Sequence, residues 1–213
     1  VWHDVLYDGP RNPGWPDEET IRARARFLEG ETGGGLARDL IERTLRRQYR
    51  RLEEAADAER IVLWFDACLF DMAMLAHILA CLRIRGIGNV DLLCVDAFPG
   101  IERYAGLGQL SSAQMASVYN QRRGVTDAQF AFAAVVDRAF ALQDRAAFDE
   151  LAAMADAPLP WVPAAVARWL EETPDENGLG RLERLALDAI RGGARTPAAI
   201  FAAAAAADTD PQF

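Results

Sequence analysis

Three aspartates stand at the ends of short apolar runs: His3-Asp4, Phe65-Asp66 and Val95-Asp96. If each run is a strand of one open parallel sheet, the three carboxylates meet at the sheet's carboxyl edge, where such sheets bind ligands. A cluster of that kind suits Mg²⁺ or Mn²⁺, which prefer oxygen donors, and with them phosphoryl-transfer or hydrolytic chemistry. Asp4, Asp66 and Asp96 are then the candidate metal ligands and catalytic residues, with His3 beside them as an acid or base. The competing reading is that each aspartate ends its strand and caps the turn or helix that follows.

A second constellation points to anions. Gly106-Leu107-Gly108-Gln109 precedes Ser111, and Arg122-Arg123 follows. A glycine loop, a helix N-terminus and two guanidinium groups suit a phosphate or carboxylate, so Gly106, Gly108, Gln109, Ser111, Arg122 and Arg123 are the candidate ligand-binding set. Loops also need glycine for purely conformational reasons. His77 lies between Leu75 and Ile78 in an apolar stretch and reads as structural. Arg43, Arg46, Arg47, Arg50 and Arg51 share their helix with Asp39, Glu42, Glu53 and Glu54, which reads as a self-paired, solvated face.

Missing residues exclude much else. The net charge is −9 and all 23 basic residues are arginine. Without lysine there is no Schiff base and no P-loop. None of Ser111, Ser112 and Ser117 sits in a G-x-S-x-G turn. His3 and His77 are too few for a histidine-rich zinc site, and Cys68, Cys81 and Cys94 lack zinc-ligand spacing. These cysteines read as buried thiols in a reducing compartment. The longest apolar run, residues 198–207, falls far short of the roughly 20 residues that cross a bilayer. No secretory leader pattern opens the sequence, so the cytoplasm is the expected location and no membrane partner is expected.

The elements that must position these residues follow from the hydrophobic pattern. At 213 residues, 51% hydrophobic and 26% charged, the chain has enough apolar material for a sizeable core. Residues 1–6 read as a strand ending in the turn Tyr7-Asp8-Gly9-Pro10. Helices are expected over 16–29 and 36–56, the second with Leu36, Leu40, Ile41, Leu45, Tyr49 and Leu52 on one face. Residues 61–65 and 90–95 read as strands buried on both sides. Between them a helix capped by Asp71 carries Met74, Leu75, Ile78, Leu79 and Leu82, so the crossover implies a parallel sheet. Ser111-x-x-Gln114 and Thr126-x-x-Gln129 are capping boxes, the second opening a long helix through Phe132, Val136 and Phe140 towards Phe148 and Leu151. Pro158, Pro160 and Pro163 mark a boundary, which gives an α/β domain over 1–157 and a helical domain over 158–213. In the latter, helices at 164–172, at 179–191 and after Thr196-Pro197 surround a Gly192-Gly193 turn and resemble a helix–turn–helix.

The stretches 2–10, Leu63-Trp64-Phe65-Asp66, Leu69-Phe70-Asp71 and 106–110 together resemble the bacterial family called domain of unknown function 1835. Residues 177–183 and Arg195-Thr196-Pro197 resemble the helical region that often follows it. The resemblance implies a further strand and helix before Val1 and more helix after Phe213, and it supplies no activity. Relatives often carry an acidic-His-Asp run after the second strand's Trp-Phe. Here Ala67 and Cys68 take its last two places.

The expected architecture is therefore a three-layer, parallel-sheet α/β domain followed by a small helical domain. The leading functional expectation is a binding or regulatory module for a small anionic ligand at the sheet's carboxyl edge. The alternatives are a metal-dependent phosphoryl-transfer or hydrolytic enzyme and a nucleic-acid-binding regulator. The last is disfavoured, because the final helix offers only Ala, Ile and Phe where base readout needs Arg, Lys, Asn or Gln. Its alanine-rich face instead suits packing against another helix, in this chain or in a partner, so self-association through the C-terminal helices is a further expectation.

Overall fold

The computed structural model describes residues 2 and 4–208. Among them the fold is mixed α/β and mostly helical, with three strands and nine α-helices. β1 (Ile61–Asp66) and β2 (Val90–Val95) pair in parallel, with Ile61 opposite Val90 and Asp66 opposite Val95. Helix α3 (Leu69–Ile84) makes the crossover between them. A two-residue β3 (Arg123–Gly124) adds antiparallel to β2, so the sheet is mixed and its order is β1-β2-β3. β1 is therefore an edge strand, and its residues other than the buried Phe65 are half-buried where the apolar run predicts burial on both sides.

The expected strand over 1–6 is not formed by the described residues 2 and 4–6; a turn follows at once. The Leu6 N–H bonds to the Asp4 carbonyl at 3.1 Å, a local turn contact in place of a ladder. The helix expected over 16–29 is α1 (Glu18–Glu31), capped by Asp17, and the next is α2 (Arg38–Glu54). Ile41 and Leu45 pack on Ile21 and Ala25 of α1, while Tyr49 and Leu52 reach the main core. Leu36 and Leu40, expected on that face, are exposed.

Every residue of α3 from Met72 to Leu82 is buried, including His77. A helix apolar on all sides belongs inside a protein, and here it lies between the sheet, α5 and α7. Its N-cap is Cys68 rather than Asp71, which sits in the first turn. Both capping boxes form, at α4 (Ser112–Val118) and α5 (Asp127–Leu142). The long helix ends at Gln143, whose φ of 49° is left-handed, and Asp144 caps a separate α6 (Arg145–Ala152). α7 (Val162–Leu170) follows the prolines at 158 and 160. Leu159, Val162, Ala165 and Val166 join the same core cluster as α3 and α5, so the core continues across the proline-marked boundary. α8 (Arg181–Arg191) and α9 (Pro197–Ala207) pack on each other, and neither contains a buried residue. No described helix is long and apolar enough to cross a membrane.

A buried polar network ties these helices together. Asp137 of α5 accepts from Arg11 Nη1 at 2.5 Å, from the Gly14 N–H at 2.6 Å and from His77 Nδ1 at 2.9 Å. The other ring nitrogen of His77 meets the Tyr49 hydroxyl at 2.7 Å. Burial pushes the Asp137 carboxyl up, but the hydrogen bond and charge from His77 and Arg11 outweigh it and hold the pKa at about 2. Asp137→Ala leaves the buried Arg11 without its counter-charge and should cost about 3–5 kcal/mol in denaturant unfolding. A loss under about 1 kcal/mol, the size of a surface pair, would contradict this assignment.

Candidate functional site

A cleft of about 420 Å³ opens at the carboxyl ends of β1 and β2. Its floor is Asp66, Val95 and Asp96 at the strand ends, with residues 67–69 leading into α3. One wall is the loop at Tyr104, Ala105 and Gly106; the other is α7 and the start of α8, with Arg168, Glu171 and Arg181. The sheet's parallel pairing sets this geometry, because both strands run into the same edge.

The loop wall is built around Asp66. Its carboxylate accepts from the Tyr104 hydroxyl at 2.9 Å and from the Leu107 N–H at 2.9 and 3.0 Å. Gly106 has a φ of +133°, and a Cβ there would lie 2.7 Å from Asp66 Oδ2. Only glycine lets the loop close so tightly on the carboxylate. Gln109 stiffens the loop from within by accepting the Ala105 N–H at 2.6 Å. Asp96 accepts from Trp161 Nε1 at 3.0 Å, which joins the β2 end to the segment before α7.

The helical wall is fixed by Glu172. Its carboxylate accepts from Arg168 Nη1 at 2.5 Å and from the Leu182 N–H at 3.1 Å, so it couples α7 to the first turn of α8. A Cβ at Gly180 would stand 2.7 Å from the Glu172 carbonyl oxygen, so this junction also needs glycine. Arg181 is thereby set beside Arg168. Arg181 pairs with Glu171 at 2.5 Å and with Asp208 at 2.6 Å, and Arg168 with Asp208 at 3.3 Å.

Of the candidate residues, the structure brings Asp66, Asp96 and Gly106 together in this cleft. His3 lies outside the described residues. Asp4 is elsewhere: it is buried and held by Arg24 at 2.9 Å, and Arg24 also bonds the carbonyls of Val5 and Asp8. With no strand ending at Asp4, nothing carries it to the sheet edge. Ser111 is used as the cap of α4, accepting from the Gln114 N–H, and a Cβ at Gly108 would meet open space. Arg122 pairs with Asp91 at 3.3 Å and lies over the Tyr119 ring at 3.9 Å, while Arg123 bonds the carbonyls of Asn120 and Arg122. The six-residue anion set therefore does not assemble. No group of three His, Cys, Asp or Glu among the described residues is placed to hold a metal ion.

Arg168, Arg181 and Tyr104 were not candidates from sequence, although Arg181 lies within the Gly180-Arg181-Leu182-Glu183 stretch of the resemblance. Cys68 lines the cleft at a helix N-terminus, but burial, aided by the charges of Asp71 and Asp66, pushes its thiol up to about 11. It is not an activated nucleophile at neutral pH.

Asp71 accepts the Asp66 N–H at 2.6 Å. Burial raises its pKa from 3.8 to about 6, with the charge of Asp66 adding to the rise and the hydrogen bond from the Asp66 N–H opposing it. The folded state thus binds this proton more tightly than the unfolded state. The stability it contributes is greatest at low pH and is lost as pH rises from about 4 to about 6. Asp71→Asn should remove that downward slope and raise the melting temperature near neutral pH. An unchanged or steeper slope in the variant would contradict the assignment. Comparison of the chain with protein-family models, with curated proteins and with solved structures found no match.

Proposed function

We propose that this protein is a binding module for a small anionic molecule, carrying phosphate or carboxylate, held in the cleft at the carboxyl ends of β1 and β2. The observation that carries this is the meeting, in one cleft, of a long helix's N-terminus and two guanidinium groups. α3 begins at the cleft floor with Cys68 at its N-cap and Asp71 in its first turn, so the positive end of its helix dipole lies at the cleft. Arg168 and Arg181 stand on the opposite wall. The cleft's volume of about 420 Å³ suits a molecule of metabolite size.

The metal-dependent alternative loses one of its three ligands, because Asp4 is spent on Arg24. Asp66 is also satisfied by Tyr104 and Leu107. A nucleic-acid role gains nothing from α9, which exposes alanines and Phe201 and no hydrogen-bonding side chain. That exposed apolar ring suits a protein partner or a second copy better than a polyanion.

Isothermal calorimetry with inorganic phosphate, glycerol 3-phosphate and citrate tests the proposal. At least one should bind the intact chain, and Arg181→Ala should weaken it about tenfold, the usual scale for losing a hydrogen bond to a charged group. Arg122→Ala, outside the cleft, should bind as the natural protein does. Equal losses in both variants, or a loss only in Arg122→Ala, would place the site elsewhere.

A further inference from the structure

The two arginines of the cleft already hold an anion that belongs to the chain. Asp208, just past the end of α9, is buried, with Oδ1 at 2.6 Å from Arg181 and Oδ2 at 3.3 Å from Arg168. Its backbone carbonyl accepts from Arg103 Nη2 at 2.7 Å, and the same guanidinium bonds the carbonyls of Ala205 at 2.6 Å and Ala206 at 3.3 Å. Arg103 adjoins Tyr104 in the loop wall, whereas Arg168 and Arg181 stand on the helical wall. The end of α9 is thus tied to both walls of the cleft at once.

We infer that the end of α9 is a strap across the cleft, closed by the Asp208 carboxylate on Arg168 and Arg181, and released when a ligand's carboxylate or phosphate takes that carboxylate's place. This deepens the proposed function and rests on it. Two features make the strap releasable. α9 contributes no buried residue, and among the described residues it packs mainly on α8, with these polar contacts tying its end to the two walls. A carboxylate at a helix C-terminus also faces the negative end of the dipole, so only the arginines favour Asp208 there.

Charge decides between exchange and simple addition. Among the described residues, Arg168 and Arg181 pair with Glu171, Glu172 and Asp208, and Asp66 and Asp96 lie on the floor of the same cleft, so carboxylates outnumber guanidinium groups there. A ligand anion added to this group increases the negative excess by its whole charge. One that replaces Asp208 increases it by less. In a partly desolvated site like charges repel strongly, and exchange is the favoured route. The ligand's affinity is then reduced by the fraction of molecules in which the strap is open.

The test uses the whole chain with inorganic phosphate and glycerol 3-phosphate as probes, read by calorimetry and by hydrogen exchange over α9. Asp208→Asn should bind about fivefold tighter or more, because the competing charge is gone. Arg103→Ala, which loosens the strap from the other wall and spares Arg168 and Arg181, should shift affinity in the same direction and serves if Asp208→Asn does not fold. In the natural protein, saturating probe should speed exchange at residues 204–207. Probe binding with unchanged or weaker affinity in folded variants, or slower exchange in α9, overturns the strap and leaves the proposed function standing. If no probe binds the natural protein or either variant, the proposed function fails and the strap fails with it.

Discussion

Asp137 is the buried charge on which the arrangement of helices depends. Its carboxylate collects Arg11, His77 and the Gly14 N–H, and so joins the N-terminal segment, α3 and α5 inside the core. Removing a charge from water is costly, and this one is tolerated because every partner is in place. The consequence reaches the cleft. α3 is clamped by His77 along its middle, which sets its N-terminus at the ends of β1 and β2. The helix that presents its dipole to the cleft is held in place by a polar network well inside the protein.

The cleft itself joins two kinds of wall. The loop wall is a tightly closed turn around Asp66, in which Gly106 allows the backbone to approach the carboxylate. The helical wall is a lattice of ion pairs with Glu172 at its centre and Arg168, Arg181 and Asp208 around it. Hydrogen-bonded loops of the first kind are stiff. The ion pairs of the helical wall are largely buried, with Arg168 and Asp208 only 4% and 5% exposed, so each of these charges stays in place because an opposite charge compensates it. The two walls are therefore held by different means, the first by backbone and hydroxyl hydrogen bonds to one carboxylate and the second by compensated side-chain charges.

Much of this was readable from local pattern. The β1–α3–β2 unit follows from two apolar runs around a helix, and both capping boxes follow from single tetrapeptides at Ser111 and Thr126. His77 is the structural residue that its apolar neighbours suggest. What failed depends on contacts far apart in sequence. Asp4 resembles Asp66 and Asp96 in its surroundings, and only Arg24, packed against it from α1, makes it a turn anchor. A short apolar run before an aspartate does not distinguish a strand from a buried turn. Arg122 and Arg123 lie beside a glycine loop in sequence but are turned to Asp91, Tyr119 and Asn120 in space. Arg168 and Arg181 carry no local signal, since their place beside the strand ends is set by the α7–α8 junction at Gly180 and Glu172. Gln143 breaks a continuous helical pattern through a left-handed φ that glycine usually supplies, so the break had no marker.

The central claim is that ligands bind at the carboxyl edge of the parallel strand pair. Amide chemical-shift mapping of the isotope-labelled chain, titrated with glycerol 3-phosphate, tests it most directly. The account predicts that the largest shifts fall on Ala67, Cys68, Leu69, Gly106 and Arg181, with the amides of β3 unmoved. Shifts centred on Ser111, Arg122 and Arg123, with those five amides unchanged, would contradict it.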